Sequence, residues 1–190
     1  MPADSPDDLD AASLAVIYSS PLADPPWQGA VEFICDELDA VVMGLSFRVA
    51  GEGMPTVGVQ AFRGSGRRLW SLFWSRYSDV GTFDYPRLKA GQINPLSEYA
   101  ESEEALEILR RDLHAPFDVG ESYALPIGPA GSPIAYLIWL QSAEKPLTRD
   151  QRSWCERAAP HLARAIGGYQ RMRQAELASW LAGDALGHLS

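Results

Sequence analysis

The feature that most constrains the fold is a long amphipathic stretch near the C-terminus, residues 147–181. Thr148 followed by Asp150 suits a helix start, because a hydroxyl caps exposed N–H groups and an acid lies near the positive end of the helix dipole. Beyond this start, apolar residues recur mostly three or four positions apart, which predicts one long helix with an apolar stripe. The stripe comprises Cys155, Ala158, Ala159, Leu162, Ile166, Tyr169, Met172, Leu177 and Trp180. Such a helix needs a surface to pack against, so we expect it to close a folded domain.

The rest of the chain alternates helical patterns with two hairpins. Helices are predicted from the Ser5-Pro6 start to about residue 20 and over 27–38, 67–79 and 102–113, and strands over 41–49, 56–63, 92–99, 121–127 and 133–141. Residues 136–140 are apolar at every position, as expected for a central strand that is covered on both faces. The sequence therefore predicts an α+β fold with one antiparallel sheet of about five strands, flanking helices and a long C-terminal helix.

Length and charge limit the functional classes. A chain of 190 residues is long enough for one domain with a substantial core. The net charge is −9, and residues 1–60 hold ten Asp or Glu against one Arg. An acidic body does not suit contact with phosphate backbones, so we expect no direct binding of nucleic acid. The acidic N-terminus is unlike a signal peptide and no apolar run is long enough to span a bilayer, so we expect a cytoplasmic protein with no membrane contact.

Residue types that carry catalysis or bind metals do not cluster in this sequence. Cys35 and Cys155 each lie in a predicted helix among apolar neighbours, which favours free buried thiols over a disulfide or a nucleophile. The three histidines are far apart, no Cys-x-x-Cys motif occurs and no Gly-x-Ser-x-Gly elbow occurs. We therefore expect no metal, no cofactor and no enzymatic activity. Distant residues can still converge in space, so a small enzyme is the least favoured alternative.

Aromatic residues make the best candidate for a ligand site. Trp70, Phe73, Trp74 and Tyr77 follow helical spacing and form one face of the predicted helix over 67–79. Large flat side chains of this kind line pockets for apolar or aromatic ligands, and packing against the sheet is the alternative interpretation. The full candidate set is Trp70, Phe73, Trp74, Tyr77, Phe83 and Tyr85, with Tyr99, Tyr123 and Trp139 joining if strand register turns them to the same cavity. Arg63, Arg67 and Arg68 are candidates to hold an acidic ligand group at its mouth, or else form a solvated helix start.

The last part of the long helix is a candidate dimer interface. Past Gly167-Gly168 the apolar stripe continues with little chain left to cover it, so two copies are expected to pack side by side. The predicted interface comprises Tyr18, Tyr169, Met172, Leu177, Trp180 and Leu181, and Trp27 and Trp180 are expected to be exposed. A frayed tail is the alternative. Pro160 interrupts the helix hydrogen bonding, and His161 beside it is interpreted as a structural histidine.

The segment Leu147-Thr148-Arg149-Asp150-Gln151, continued by Ala159-Pro160-His161-Leu162, carries a resemblance to a known family. It resembles the closing helix of GAF/PAS-like N-terminal sensor domains of LuxR-type helix-turn-helix transcriptional regulators. The upstream order of a Trp-containing helix, a hairpin, an aromatic helix and a second hairpin is also similar. The likeness covers residues 10–175.

The resemblance implies a sensing or dimerising domain that precedes a DNA-binding module, with no shared catalytic residues. We accordingly expect a disordered N-terminus over 1–6, a sensor domain over 7–168 and a dimerisation or linker helix over 169–190, with the effector domain absent from this chain. The expected function is ligand sensing and homodimerisation in a bacterial transcriptional regulator. A structural dimerisation module without a ligand remains the alternative.

Overall fold

The computed structural model describes residues 9–47, 56–77, 83–129 and 133–187, and its centre is one five-stranded antiparallel sheet. The strands are β1 Val42–Phe47, β2 Thr56–Phe62, β3 Asn94–Pro95, β4 Val119–Ile127 and β5 Ala135–Ser142, in the order β2-β1-β5-β4-β3. The central strand β5 pairs with β1 on one side and with β4 on the other. The predicted antiparallel sheet of about five strands is confirmed.

In the described part of the chain, five α-helices surround the sheet: α1 Ala11–Ser19, α2 Gln28–Glu37, α3 Gly66–Tyr77, α4 Glu103–Leu109 and α5 Arg149–Gly187. The Asp10 carboxylate caps α1 by accepting from the Ser13 N–H at 2.8 Å. The start predicted at Ser5-Pro6 lies outside the described residues. Ser102 caps α4 by accepting from the Ala105 N–H, and α4 continues into a π-helical turn over Arg110–His114. Within the described ranges, no helix combines the length and the apolar character that crossing a bilayer requires.

Side chains of the central strands alternate between two apolar clusters, one on each face of the sheet. On β5, Leu137 and Trp139 join the cluster under α2 and α5, which we call the α5 face. Tyr136 and Ile138 join the cluster that contains Leu69 and Trp70 of α3, which we call the α3 face. The prediction that residues 136–140 are covered on both faces is confirmed, since each is less than 9% exposed.

One predicted strand is much shorter than expected. The chain pairs with β4 only at Asn94 and Pro95, and Leu96–Tyr99 forms a 3-10 turn instead of extending the strand. Proline has no N–H to donate to the ladder, which favours the position of Pro95 at the end of a short strand on the edge of the sheet. The Asn94 side chain replaces part of the lost pairing by donating to the carbonyl of Gln92 at 2.7 Å and accepting from the Lys89 N–H at 2.9 Å.

Trp27 is buried, with 1% of its surface exposed, so the prediction that it is exposed is wrong. Its backbone is left-handed, with φ of 70°, immediately before α2. The Trp27 ring packs edge-on against the ring of Tyr169, with 5.9 Å between ring centres. The ring centre of Phe47 lies 6.3 Å away. The helical spacing of apolar residues in the sequence does not indicate a left-handed residue before the helix, so the burial of Trp27 was not predicted.

Helix α5 runs without interruption through Pro160 and buries Cys155, Ala158, Leu162 and Ile166 against the sheet. Cys35 of α2 is likewise buried, and both cysteines are free thiols. Burial raises the pKa of Cys35 to about 11 and that of Cys155 to about 12, so both remain protonated and unreactive.

Candidate functional site

The candidate site lies on the α3 face, where the indole of Trp70 covers β1 at Gly44. A Cβ at Gly44 would lie 2.9 Å from Cη2 of Trp70, so the absence of a side chain at this position makes room for the ring. Trp70 is 5% exposed. Its position follows from α3, which begins at Gly66 directly over Val41 and directs Leu69 and Trp70 toward the sheet.

A second aromatic group, from the segment after α3, meets the same face. The ring of Tyr85 packs edge-on against Tyr136 of β5 at 5.7 Å and against Phe83 at 6.2 Å. Phe83 is fixed by a bridge to Ala100, which joins this segment to the 3-10 turn near β4. Burial, with a smaller effect of the neighbouring Tyr136, raises the pKa of Tyr85 to about 12, so its phenol is a neutral hydrogen-bonding group.

The structure brings together four of the predicted ligand-site residues and separates two. Trp70, Phe83, Tyr85 and Tyr99 belong to the α3 face. Tyr123 and Trp139 belong to the α5 face, where their rings stack at 5.3 Å with the Arg152 guanidinium 5.9 Å from Tyr123. The backbone of α3 includes Phe73, Trp74 and Tyr77, but their side chains lie outside the described residues.

The three candidate arginines do not converge on one point. Arg63 bonds to the carboxylates of Asp36 and Asp39 at the end of α2. The guanidinium of Arg67 lies 4.9 Å from the Phe62 ring centre and that of Arg68 lies 6.0 Å from Phe117. Arg67 and Arg68 line an open groove of about 790 Å³ between α3 and the 115–117 turn.

A buried polar pair on the α3 face has no local sequence signal. Nε2 of His114 lies 2.8 Å from Oγ of Ser122, and the two side chains are 6% and 5% exposed. Burial, with a smaller effect of Arg110, lowers the pKa of His114 to about 4, so the imidazole is neutral. In the residues that the structure describes, no group of three His, Cys, Asp or Glu side chains is placed to hold a metal ion.

The predicted dimer residues lie along α1 and α5. Tyr18 is 44% exposed, and its hydroxyl lies 3.0 Å from Nδ1 of His161 on α5. Tyr169 packs against Trp27 and Phe47 of its own domain, and Met172 is half-buried. The side chains of Leu177, Trp180 and Leu181 lie outside the described residues.

No protein-family model and no curated protein matches the sequence, whereas solved structures resemble its fold. The GAF domain of a phosphoenolpyruvate-protein phosphotransferase from Coxiella burnetii superposes with a TM-score of 0.51 at 15% identity, over 86% of this chain and 95% of that one. The chromophore-binding domain of a bacteriophytochrome from R. palustris gives a TM-score of 0.51 at 10% identity, over 85% of this chain and 61% of that one. At such identities the likeness concerns the fold alone. The protein has a GAF-like α+β fold.

Proposed function

We propose that this chain is a small-molecule-sensing domain whose ligand site lies on the α3 face. The observation that carries the proposal is the meeting of aromatic side chains from two separate segments over the smallest residues of β1. Trp70 comes from α3 and Tyr85 from the segment after it, and they adjoin the strand that carries Gly44 and Ser46. A site between a sheet and the segments that cover it suits an apolar or aromatic ligand with a few polar contacts.

The proposal extends to a homodimer that is the input domain of a cytoplasmic transcriptional regulator, with DNA binding carried by another domain. Its support is the resemblance of the Ala159-Pro160-His161-Leu162 segment to LuxR-type regulators and the exposed Tyr18 ring beside α5. A ligand would act by binding one arrangement of the terminal helices better than another. No catalytic role is proposed for His114 and Ser122, whose side chains hydrogen-bond to each other.

A structural dimerisation module without a ligand is the second candidate. The observation that favours it is the tight burial of Trp70 and Tyr136, which are 5% and 4% exposed. A filled aromatic core needs no ligand to be stable.

Thermal unfolding in the presence of uncharged aromatic compounds separates the two candidates. A ligand that binds only the folded state raises the melting temperature. We expect such a rise for the wild type and for Trp154→Leu, which alters a tryptophan that packs on Phe33 away from the site. We expect no rise for Trp70→Leu. A wild type that responds to no compound, or a Trp70→Leu variant that responds fully, would favour the structural module.

A further inference from the structure

The hydroxyl group of Ser46 is buried on the α3 face without a hydrogen-bond partner. The side chain is 0% exposed, and among the residues that the structure describes none makes a hydrogen bond with its Oγ. A buried hydroxyl without a partner costs free energy, because its hydrogen bonds to water are lost and not replaced. Native proteins rarely keep such a group unless something else satisfies it.

The hydroxyl adjoins the aromatic residues of the proposed site. Val42 lies on the α3 face and Leu45 on the α5 face, so strand alternation places Ser46 on the α3 face. Ser46 pairs directly with Tyr136 of β5, and side chains directly opposite each other in an antiparallel pair are neighbours. Tyr136 in turn contacts Tyr85. Ser46 thus provides a polar group beside the aromatic rings.

A second buried serine on the same face provides an internal comparison. Ser122 on β4 has the partner that Ser46 lacks, the Nε2 atom of His114 at 2.8 Å. Both hydroxyls are on sheet residues with less than 9% exposure. The fold therefore provides a hydrogen-bond partner for the hydroxyl of Ser122 but not for that of Ser46.

We propose that Ser46 is the hydrogen-bond anchor for an uncharged aromatic ligand, which places its ring against Tyr85 and Tyr136 and its polar substituent at Oγ of Ser46. This inference rests on the proposed function, whose site it shares. The ligand is uncharged because no Asp, Glu, Lys or Arg is among the buried residues of the described chain, and an unpaired ion costs more to bury than a neutral group.

The first test is the stability of the ligand-free protein. Ser46→Ala removes a polar group without a partner and is expected to raise the melting temperature by about 2–4 °C. Ser122→Ala, the matched control, removes a satisfied hydroxyl and leaves His114 unpaired, so it lowers the melting temperature. A Ser46→Ala variant destabilised as much as Ser122→Ala would overturn the proposal, because the hydroxyl would then have a partner within the protein.

The second test compares two probes of similar shape, acetophenone and ethylbenzene, which differ in a carbonyl oxygen. The wild type is expected to bind acetophenone about five-fold more tightly than ethylbenzene. Ser46→Ala is expected to bind acetophenone more weakly than ethylbenzene, because the buried carbonyl oxygen then has no hydrogen-bond donor. Titration monitored by tryptophan fluorescence measures both affinities. If the ratio of the acetophenone and ethylbenzene affinities is the same in the wild type and in Ser46→Ala, Ser46 is not the anchor, whereas the proposed ligand site is retained. If neither probe binds the wild type, the anchor and the proposed site are both overturned.

Discussion

The imidazole of His114 and the hydroxyl of Ser122 form a hydrogen-bonded pair beneath the surface, with Nε2 and Oγ 2.8 Å apart. The pKa of His114 is lowered from 6.5 to about 4 by burial. Between these values the unfolded chain binds a proton that the folded protein does not. We therefore expect the free energy of unfolding to fall as the pH drops from about 6.5 to about 4, by roughly 3 kcal/mol in total.

Urea unfolding of the wild type and of His114→Gln at pH 7.0, 5.5 and 4.5 measures this dependence. Glutamine keeps a hydrogen-bonding group near Ser122 but does not titrate, so the variant is expected to lose the slope in this range. The lowered pKa values of Asp10, bonded to Ser13, and Asp39, bonded to Lys145, remove stability only below about pH 4. An unchanged slope in His114→Gln would contradict the assignment.

Gly44→Ala is expected to destabilise the protein by about 1–3 kcal/mol, because the new methyl group displaces the Trp70 ring and overpacks the α3 face. The added Cβ would lie only 2.9 Å from the indole. Gly29→Ala is the matched control, since a Cβ there meets nothing within 4 Å and alanine favours the α2 helix by up to about 1 kcal/mol. We expect the denaturation midpoint to fall for Gly44→Ala and to rise for Gly29→Ala. Equal shifts in the two variants would show that the Trp70 ring moves aside without cost.

Asp39 links α2 to two other segments through its carboxylate, which bonds to Arg63 and to Lys145 at 2.5 Å each. Its backbone is left-handed, with φ of 51°. Asp39→Asn tolerates that conformation and removes only partly exposed ion pairs, so we expect a loss of up to about 1 kcal/mol.

Asp39→Ala adds backbone strain, because alanine tolerates the left-handed conformation poorly. We expect it to lose a further ~1 kcal/mol of stability. The asparagine effect should shrink in 1 M NaCl while the additional alanine effect persists, because salt screens charges but not steric strain. If 1 M NaCl reduced the additional effect of Asp39→Ala as much as it reduced the effect of Asp39→Asn, the separation into a charge effect and a strain effect would be wrong.

The dimer prediction concerns the stripe on α5. Leu177→Asp combined with Trp180→Asp is expected to give monomers in sedimentation experiments, because two charges would be placed on the packed face. Ala175→Asp combined with Ala178→Asp adds the same charge at exposed positions on another side of the helix. A dimer that persists only in this control supports the interface, whereas a dimer that persists in both variants places it elsewhere.

Much of the fold followed from residue periodicity. The apolar run from Tyr136 to Leu140 indicated a strand covered on both faces, and helical spacing located α2, α3 and α5. The length of β3 was overestimated because the chain enters a 3-10 turn at Leu96, directly after Pro95, which the surrounding apolar pattern does not indicate.

The site was only partly predictable. Alternation dictates that Tyr136 and Trp139 lie on opposite faces, but the sequence does not say which face α3 covers. The His114–Ser122 pair forms only when the π-helical turn folds back over β4, and the lack of a partner at Ser46 depends on the packing of several segments. Contacts of this kind join residues from separate segments, so the spacing of residues in the sequence does not indicate them.

The uninterrupted length of α5 has a mechanical consequence. The helix holds 39 residues; among its described side chains Ile166 is the last that is fully buried, and Tyr169, one turn farther on, still packs against Trp27. A rigid rod fixed at one end amplifies small rotations, so a tilt of about 10° at Ile166 displaces the backbone of Gly187, about 30 Å farther on, by about 5 Å. A tilt of this size would thus move the end of the helix by about one helical turn.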